Sequence, residues 1–132
     1  MHKELKFIFD IDGTLCPVKK KDEKYEDLVP YEDMVYKLRE YHDAGAQIVL
    51  FTSRNMNSYN GQIGMINKVT AKILLEWLDK WDIPYEEIIY GKPWPGHYGF
   101  YVDDRAVRPD EFLKYEADEL SEICMRSRIQ EG

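Results

Sequence analysis

At 132 residues, with 44% hydrophobic, 14% aromatic and 33% charged residues, the chain can build one folded core under a soluble surface, and its length excludes a second sizeable domain, so residues 1–132 read as one. A formal net charge of -7 disfavours nonspecific binding to nucleic acid, because a polyanion would meet net repulsion. Cys16 and Cys124 lack metal-ligand spacing and read as free thiols of a reducing compartment; with neither a signal-peptide core after Met1 nor an apolar run of membrane-spanning length, the expected location is cytoplasmic, with no membrane partner.

The stretch Phe7-Ile8-Phe9-Asp10-Ile11-Asp12-Gly13-Thr14-Leu15 reads as a strand covered on both faces that runs out into a polar turn. Asp10 and Asp12 leave from its carboxyl end, where open α/β sheets hold ligands. Two acids so close repel each other unless a positive charge sits between them, and an oxygen-rich site of this kind suits Mg²⁺. The segment Cys16–Pro30, with Lys19-Lys20-Lys21-Asp22-Glu23-Lys24, has neither helical nor strand periodicity and reads as a small hairpin or loop over the strand end.

Tyr31 to Ala44 predicts a helix with Met34, Val35, Leu38 and Tyr41 on its apolar face and Gly45 as its left-handed cap. Ala46 to Phe51 predicts a second buried strand, which completes a βαβ unit and delivers Thr52-Ser53-Arg54 to a strand end. Asn55 to Asn67 is polar, contains two glycines and is long for a connection, so it reads either as part of a substrate pocket or as a loop that satisfies its own backbone through Asn side chains. Lys68 to Lys80 predicts a helix whose Val69, Ile73, Leu74, Trp77 and Leu78, followed by Trp81, belong to the core. Pro84 ends that register, and Glu87 to Tyr90 predicts a third strand leading into Gly91-Lys92-Pro93. Gly99 to Val102 predicts a further strand ending in Asp103-Asp104-Arg105, and Pro109 to Gln130 predicts one amphipathic helix with Phe112, Leu113, Leu120, Ile123 and Cys124 on its apolar face.

Asp10-Ile11-Asp12-Gly13-Thr14-Leu15, Thr52, Gly91-Lys92-Pro93 and Asp103-Asp104, in that order, resemble the motif set of the haloacid dehalogenase (HAD) superfamily of phosphotransferases. The resemblance implies an α/β fold, a three-layer Rossmann-like parallel sheet with helices on both faces and no large cap domain, and it places the Asp10 strand between those of Thr52 and Asp103. It also implies the roles: Asp10 as nucleophile, Asp12 as general acid/base, Thr52 and Lys92 as holders of the transferring phosphoryl oxygens, and Asp10, Asp12, Asp103 and Asp104 around Mg²⁺. A flap at Cys16–Pro30 agrees with the family. The spacing of eleven positions between Lys92 and Asp103 is shorter than the family's usual helix-bearing interval, which leaves the route of Lys92 to the phosphate open. The receiver domain of response regulators also uses Asp, Thr and Lys, but the Gly-Thr after Asp12 and the late Asp103-Asp104 favour the hydrolase arrangement.

Ser53, Arg54, Asn55, Lys68 and Arg105 are the candidate substrate contacts. The run Gly91-Lys92-Pro93-Trp94 with Tyr101 to Phe112 is similar to small phosphatases associated with bacterial capsular-polysaccharide biosynthesis, which implies a phosphorylated sugar or polyol as substrate. Two alternatives stay open. One is a polynucleotide 3'-phosphatase with a groove at Arg54, Lys68, Arg105 and Arg108; the other is a regulatory phosphate-binding partner. A capless site also makes a homo-oligomer, dimer or tetramer, an expected partner.

Overall fold

Three short runs of β-prone residues pair side by side into one parallel sheet in the computed structural model, which describes residues 4–129. The chain forms two compact units, Met1–Trp94 and Pro95–Gly132. In the first, the strands β1 (Lys6–Phe9), β2 (Gln47–Thr52) and β3 (Glu87–Tyr90) lie in the order β1-β2-β3, and the protein is α/β. Phe9 stands opposite Leu50 and Thr52 opposite Tyr90, so all three strands deliver their carboxyl ends to the same edge. Parallel strands need crossovers, and helices supply them here: α1 (Glu32–Asp43) links β1 to β2, and a continuous helical run of α2 (Ile63–Met65), a π-helical turn (Ile66–Thr70) and α3 (Ala71–Lys80) links β2 to β3.

The core gathers around β2. Ile48, Val49 and Leu50 are all buried, as are Met34, Val35, Leu38 and Tyr41 of α1 and Leu74, Trp77 and Leu78 of α3. The helical spacing of those apolar residues is what turns each face inward. Gly45 at φ 104° takes the left-handed position after α1 that the sequence predicts. β3 matches its expected span from Glu87 to Tyr90, whereas the predicted helix from Lys68 divides into the π turn and α3.

Three expectations are corrected. The strand covered on both faces is β2, not β1: Ile48, Val49 and Leu50 of β2 are buried in succession, whereas Ile8 of β1 is 65% exposed beside the buried Phe9. Gly99–Val102 forms no strand, so the sheet of the described residues has no fourth member and the Asp10 strand is an edge rather than a centre. A β-prone sequence becomes a strand only when a neighbour takes its backbone hydrogen bonds, and propensity alone does not supply one. In the second unit the predicted single helix is two, α4 (Pro109–Lys114) and α5 (Ala117–Arg126). The break has a local cause: Glu116 starts a new helix, its backbone N–H donating to the Glu119 carboxylate at 3.1 Å. Phe112 and Leu120 are buried and Leu113 is exposed; Gln130, the expected helix end, lies outside the described residues. Among the described residues no helix is long and apolar enough to cross a membrane.

The segment 16–30 is not free chain. Tyr25–Asp27 forms one 3-10 turn, and Leu28, which follows, is buried with its carbonyl accepting a 2.7 Å hydrogen bond from the Trp77 indole of α3. Trp77→Phe removes that donor and leaves a buried acceptor, which costs about 1–3 kcal/mol. The expected outcome is a lower urea midpoint, together with faster tryptic cleavage between Lys19 and Lys24 in the native protein; unchanged cleavage would show that the indole does not anchor the flap.

Candidate functional site

Asp10 is the first residue past β1, Thr52 the last of β2, and Lys92 lies two past β3. Because the strands are parallel and in register, these three positions converge on one edge. The Lys92 backbone N–H donates to the Thr52 carbonyl at 3.1 Å, carrying the pairing of β2 and β3 one step beyond the strand. Gly91 makes the intervening turn at φ +84°, where a Cβ would also stand 2.7 Å from Cδ1 of Ile63. From there the Lys92 side chain crosses the end of β2, with Nζ 5.9 Å from the Phe51 ring centroid, and reaches Asp10 Oδ1 at 3.5 Å. This is a route across the sheet edge that does not depend on the interval to Asp103. Asp10 also accepts a 3.3 Å hydrogen bond from the Thr14 hydroxyl.

Asp12 has a different partner. Arg54, two residues past β2, donates through Nε to Oδ2 at 3.0 Å and through its second terminal nitrogen to Oδ1 at 2.7 Å, a two-point fork onto the carboxylate. The Arg54 side chain is 1% exposed and that of Asp12 21%. Burial works against the guanidinium charge, and the hydrogen bonds and charge of Asp12 outweigh it, so the Arg54 pKa is raised. The Tyr25 ring of the flap covers the guanidinium at 4.2 Å. Burial first, and then the negative charge of Asp12, raise the Tyr25 pKa. Cys16 completes this shell with its thiol 3.6 Å from Asp12 Oδ1 and wholly buried; burial, then Asp12, push its pKa up to about 12. It is a neutral donor there, not a nucleophile.

Thr52 is buried, and its hydroxyl accepts the Arg54 backbone N–H at 3.0 Å, which makes it a turn cap and leaves its own proton to donate. Asn55 sits in the left-handed region at φ 64°, fixed by a 2.7 Å hydrogen bond from the Thr70 hydroxyl to its Oδ1 and by its own Nδ2 donating to Ser58 at 3.4 Å. The π-helical turn that holds Thr70 is a departure from helix regularity of a kind found often at functional positions. The Asn55–Asn67 stretch therefore contains tight turns and helix from Ile63 onward, not a bare loop.

The structure brings Asp10, Asp12, Thr52, Lys92, Ser53 and Arg54 to one edge of the first unit, with Ser53 half-buried. Of the candidate substrate contacts, Arg54 is committed to Asp12 and Asn55 to Thr70, and Lys68 is exposed on the π turn. Asp103, Asp104 and Arg105 belong to the second unit. There, Asp103 accepts the Arg105 backbone N–H at 2.8 Å and Asp104 accepts Arg128 Nε at 2.7 Å. The sequence reading missed the role of Arg54 toward Asp12, and missed Tyr25 and Cys16; the charge imbalance of Asp12 was the one signal that pointed to a cation.

For a divalent ion the donors of the first unit are oxygens: the Asp10 carboxylate, 33% exposed, and the Asp12 carbonyl, to which no backbone N–H of the described residues donates. No group of three acidic, His or Cys side chains among the described residues is close enough to enclose a metal. An oxygen-only, half-open donor set of this kind fits Mg²⁺, which keeps waters and takes one or two carboxylates plus substrate phosphate, better than it fits Zn²⁺ or Ca²⁺.

Native alkylation with iodoacetamide at pH 8 is expected to label Cys124, which is partly exposed, and to spare Cys16 until the chain is unfolded in urea. Labelling of Cys16 in the folded protein would contradict the packed Asp12–Arg54–Cys16 shell.

No protein-family model and no curated protein matches the chain. Among solved structures, a chain of the Pnkp1/Rnl/Hen1 RNA repair complex aligns at 16% identity and TM-score 0.47, over 93% of this chain and 32% of that one, a likeness that carries no argument. The crystal structure of a target protein from Vibrio cholerae superposes with TM-score 0.87 at 47% identity, over 94% of this chain and 99% of that one. The chain belongs to the same family as that Vibrio cholerae protein.

Proposed function

We propose that this protein is a Mg²⁺-dependent phosphomonoester hydrolase of HAD type that works through an aspartyl phosphate on Asp10, with a phosphorylated sugar or polyol as its substrate and the three-layer HAD-like sheet as its fold. The observation that carries the reading is the approach of Lys92 Nζ to Asp10 Oδ1 at 3.5 Å from a different strand, with Thr52 between them on the same edge. A carboxylate, a hydroxyl and a lysine that converge from three parallel strands form an electropositive seat beside a nucleophile, which is what an anionic phosphate ester requires.

In the first step an Asp10 carboxylate oxygen attacks phosphorus in line; the new O–P bond forms as the ester P–O bond breaks, and the proton on Asp12 passes to the departing oxygen. In the second, Asp12 takes a proton from water as the water oxygen bonds to phosphorus and the Asp10–phosphorus bond breaks, releasing inorganic phosphate. The Thr52 hydroxyl and Lys92 ammonium hold the nonbridging oxygens, and Gly91 keeps Lys92 at that distance. Bound Mg²⁺ would be held by the Asp10 carboxylate and the Asp12 carbonyl and would neutralise charge on the phosphoryl group. Asp103 and Asp104 enter as further ligands on the sequence resemblance alone.

The test is phosphate release from a panel of sugar phosphates, polyol phosphates, nucleotides and 3'-phosphorylated oligonucleotides, with Mg²⁺ and with chelator. Metal-dependent release from one sugar or polyol phosphate is expected, with turnover lost by a factor of about 10⁴ or more in Asp10→Asn while thermal unfolding stays near that of the parent. Asp103→Asn and Asp104→Asn are expected to raise the Mg²⁺ needed for half-maximal rate. Preference for the oligonucleotide would replace the substrate class, and substantial activity in Asp10→Asn would remove the nucleophile assignment.

A further inference from the structure

Two cations serve two carboxylates at this edge, and they are built differently. Lys92 is 20% exposed at its side chain and meets Asp10 at one point. Arg54 is 1% exposed and meets Asp12 at two, with Nε on one oxygen and a terminal nitrogen on the other. A group as enclosed as Arg54 does not present itself to a substrate. Asp12, at 21%, still does.

A fork of two parallel hydrogen bonds fixes the plane of a carboxylate as well as its place, which a single ammonium contact cannot do. The guanidinium is in turn held in its plane by the Tyr25 ring, 4.2 Å from Cζ, and Tyr25 lies in the 3-10 turn of the flap whose following residue, Leu28, is tied to Trp77 of α3. Its remaining terminal nitrogen is buried with no hydrogen-bond partner among the described residues, so the side chain accepts an unsatisfied donor to keep this pose. Burying an ion pair is a poor source of net stability, because desolvation offsets most of the attraction. A directional role accounts for the arrangement better than a stabilising one.

We propose that Arg54 is a positioning residue for Asp12 as acid/base, and that Tyr25 is its backing, so that the flap sets the geometry of proton transfer rather than merely covering the site. This rests on the phosphatase reading. A residue that acts through the acid/base matters most where the leaving oxygen needs a proton and least where it does not. An alkyl phosphate releases a basic alkoxide and needs the proton; an aryl phosphate such as 4-nitrophenyl phosphate releases a stable phenolate and does not.

The experiment measures kcat and KM on 4-nitrophenyl phosphate and on the alkyl phosphate chosen from the panel, for the parent protein and for Asp12→Asn, Arg54→Gln, Arg54→Lys, Tyr25→Leu and Tyr25→Phe. Because Asp12 also activates water in the second step, which is the same for both esters, the comparison is made on kcat/KM, which covers the steps through phosphoryl transfer to Asp10. Asp12→Asn is expected to lower kcat/KM on the alkyl ester by about 10²–10⁴ and on the aryl ester far less. Arg54→Gln is expected to follow the same pattern in kcat/KM, with a loss on the alkyl ester at least about tenfold greater than on the aryl ester, and to cause little further loss when combined with Asp12→Asn. Arg54→Lys recovers only part of the rate, since one ammonium cannot span both oxygens. Tyr25→Leu shifts the alkyl-to-aryl ratio in the same direction and Tyr25→Phe restores it, because the ring and not the hydroxyl covers the guanidinium.

Equal losses in kcat/KM on both esters would overturn the proposal, whether carried by KM, which would make Arg54 a substrate contact, or tracking a lowered melting temperature. If Arg54→Gln does not fold, Tyr25→Leu decides: an unchanged alkyl-to-aryl ratio in a folded Tyr25→Leu protein rejects the coupling to the flap. A parent protein that releases phosphate from no member of the panel and not from 4-nitrophenyl phosphate removes the phosphatase reading itself, a failure seen before any variant is made.

Discussion

Two carboxylates two residues apart at one strand end are the constraint on which the first unit turns. Like charges held this close repel, and each of the two acids has a cation beside it, Lys92 at Asp10 and Arg54 at Asp12. Neither cation comes from the strand that carries the acids. Lys92 follows β3 and Arg54 follows β2, so the neutralisation of β1's carboxyl end is delivered by register: Phe9 opposite Leu50, Thr52 opposite Tyr90. A slip of one residue in either pairing would turn the side chains to the opposite face and leave an acid unpaired. The buried apolar residues of β2 hold that register, and the polar edge depends on the apolar centre.

The same dependence runs through the flap. Trp77 packs in the core of α3 and reaches out through its indole N–H to the Leu28 carbonyl; three residues before Leu28, Tyr25 lies over Arg54, and Arg54 forks onto Asp12. Each link is an ordinary contact, yet together they connect a core helix to a carboxylate at the sheet edge through packed and hydrogen-bonded side chains. The polar members of the chain sit where burial makes their partners obligatory: Arg54, Thr52 and Thr70 are the buried polar residues among those described, and each has a hydrogen bond to a neighbour in the site or in the loop beside it.

Much of this was legible from periodicity and from turn residues. The apolar face of α1, the cap at Gly45, the span of β3 and the core role of Trp77 follow from local patterns, and each depends on residues within a turn or two of one another. What escaped is nonlocal or conditional. Arg54 and Asp12 are 42 positions apart, and a cation beyond a strand reads equally well as a substrate contact or as a partner for an acid until the register is known. Gly99–Val102 has the composition of a strand, but pairing decides strands, and among the described residues β1 pairs with β2 alone. The split between α4 and α5 turned on Glu116 and Glu119 acting as a helix start within a continuous apolar pattern, a local signal that the longer periodicity masks. The π turn at Ile66–Thr70 has no sequence signature; its Thr70 is explained by Asn55, fifteen positions earlier.

On the proposed phosphatase reading, the chemistry of the two cations would account for one arginine and one lysine at this edge. A phosphoryl group that arrives, transfers and leaves needs a partner that moves with it, and the lysine ammonium, on a flexible stem and partly open to solvent, is a point charge that can follow. A group that must give a proton at one angle and take one back at another gains from the opposite, a rigid partner that holds its plane. The planar fork of Arg54 under Tyr25 is that partner, and the wholly buried Cys16 thiol closes the side of Asp12 it faces. On that reading a one-point contact at Asp10 and a two-point fork at Asp12 are divided between two side-chain types, and an exchange of Arg54 and Lys92 would place each charge where its geometry is wrong while leaving the net charge unchanged.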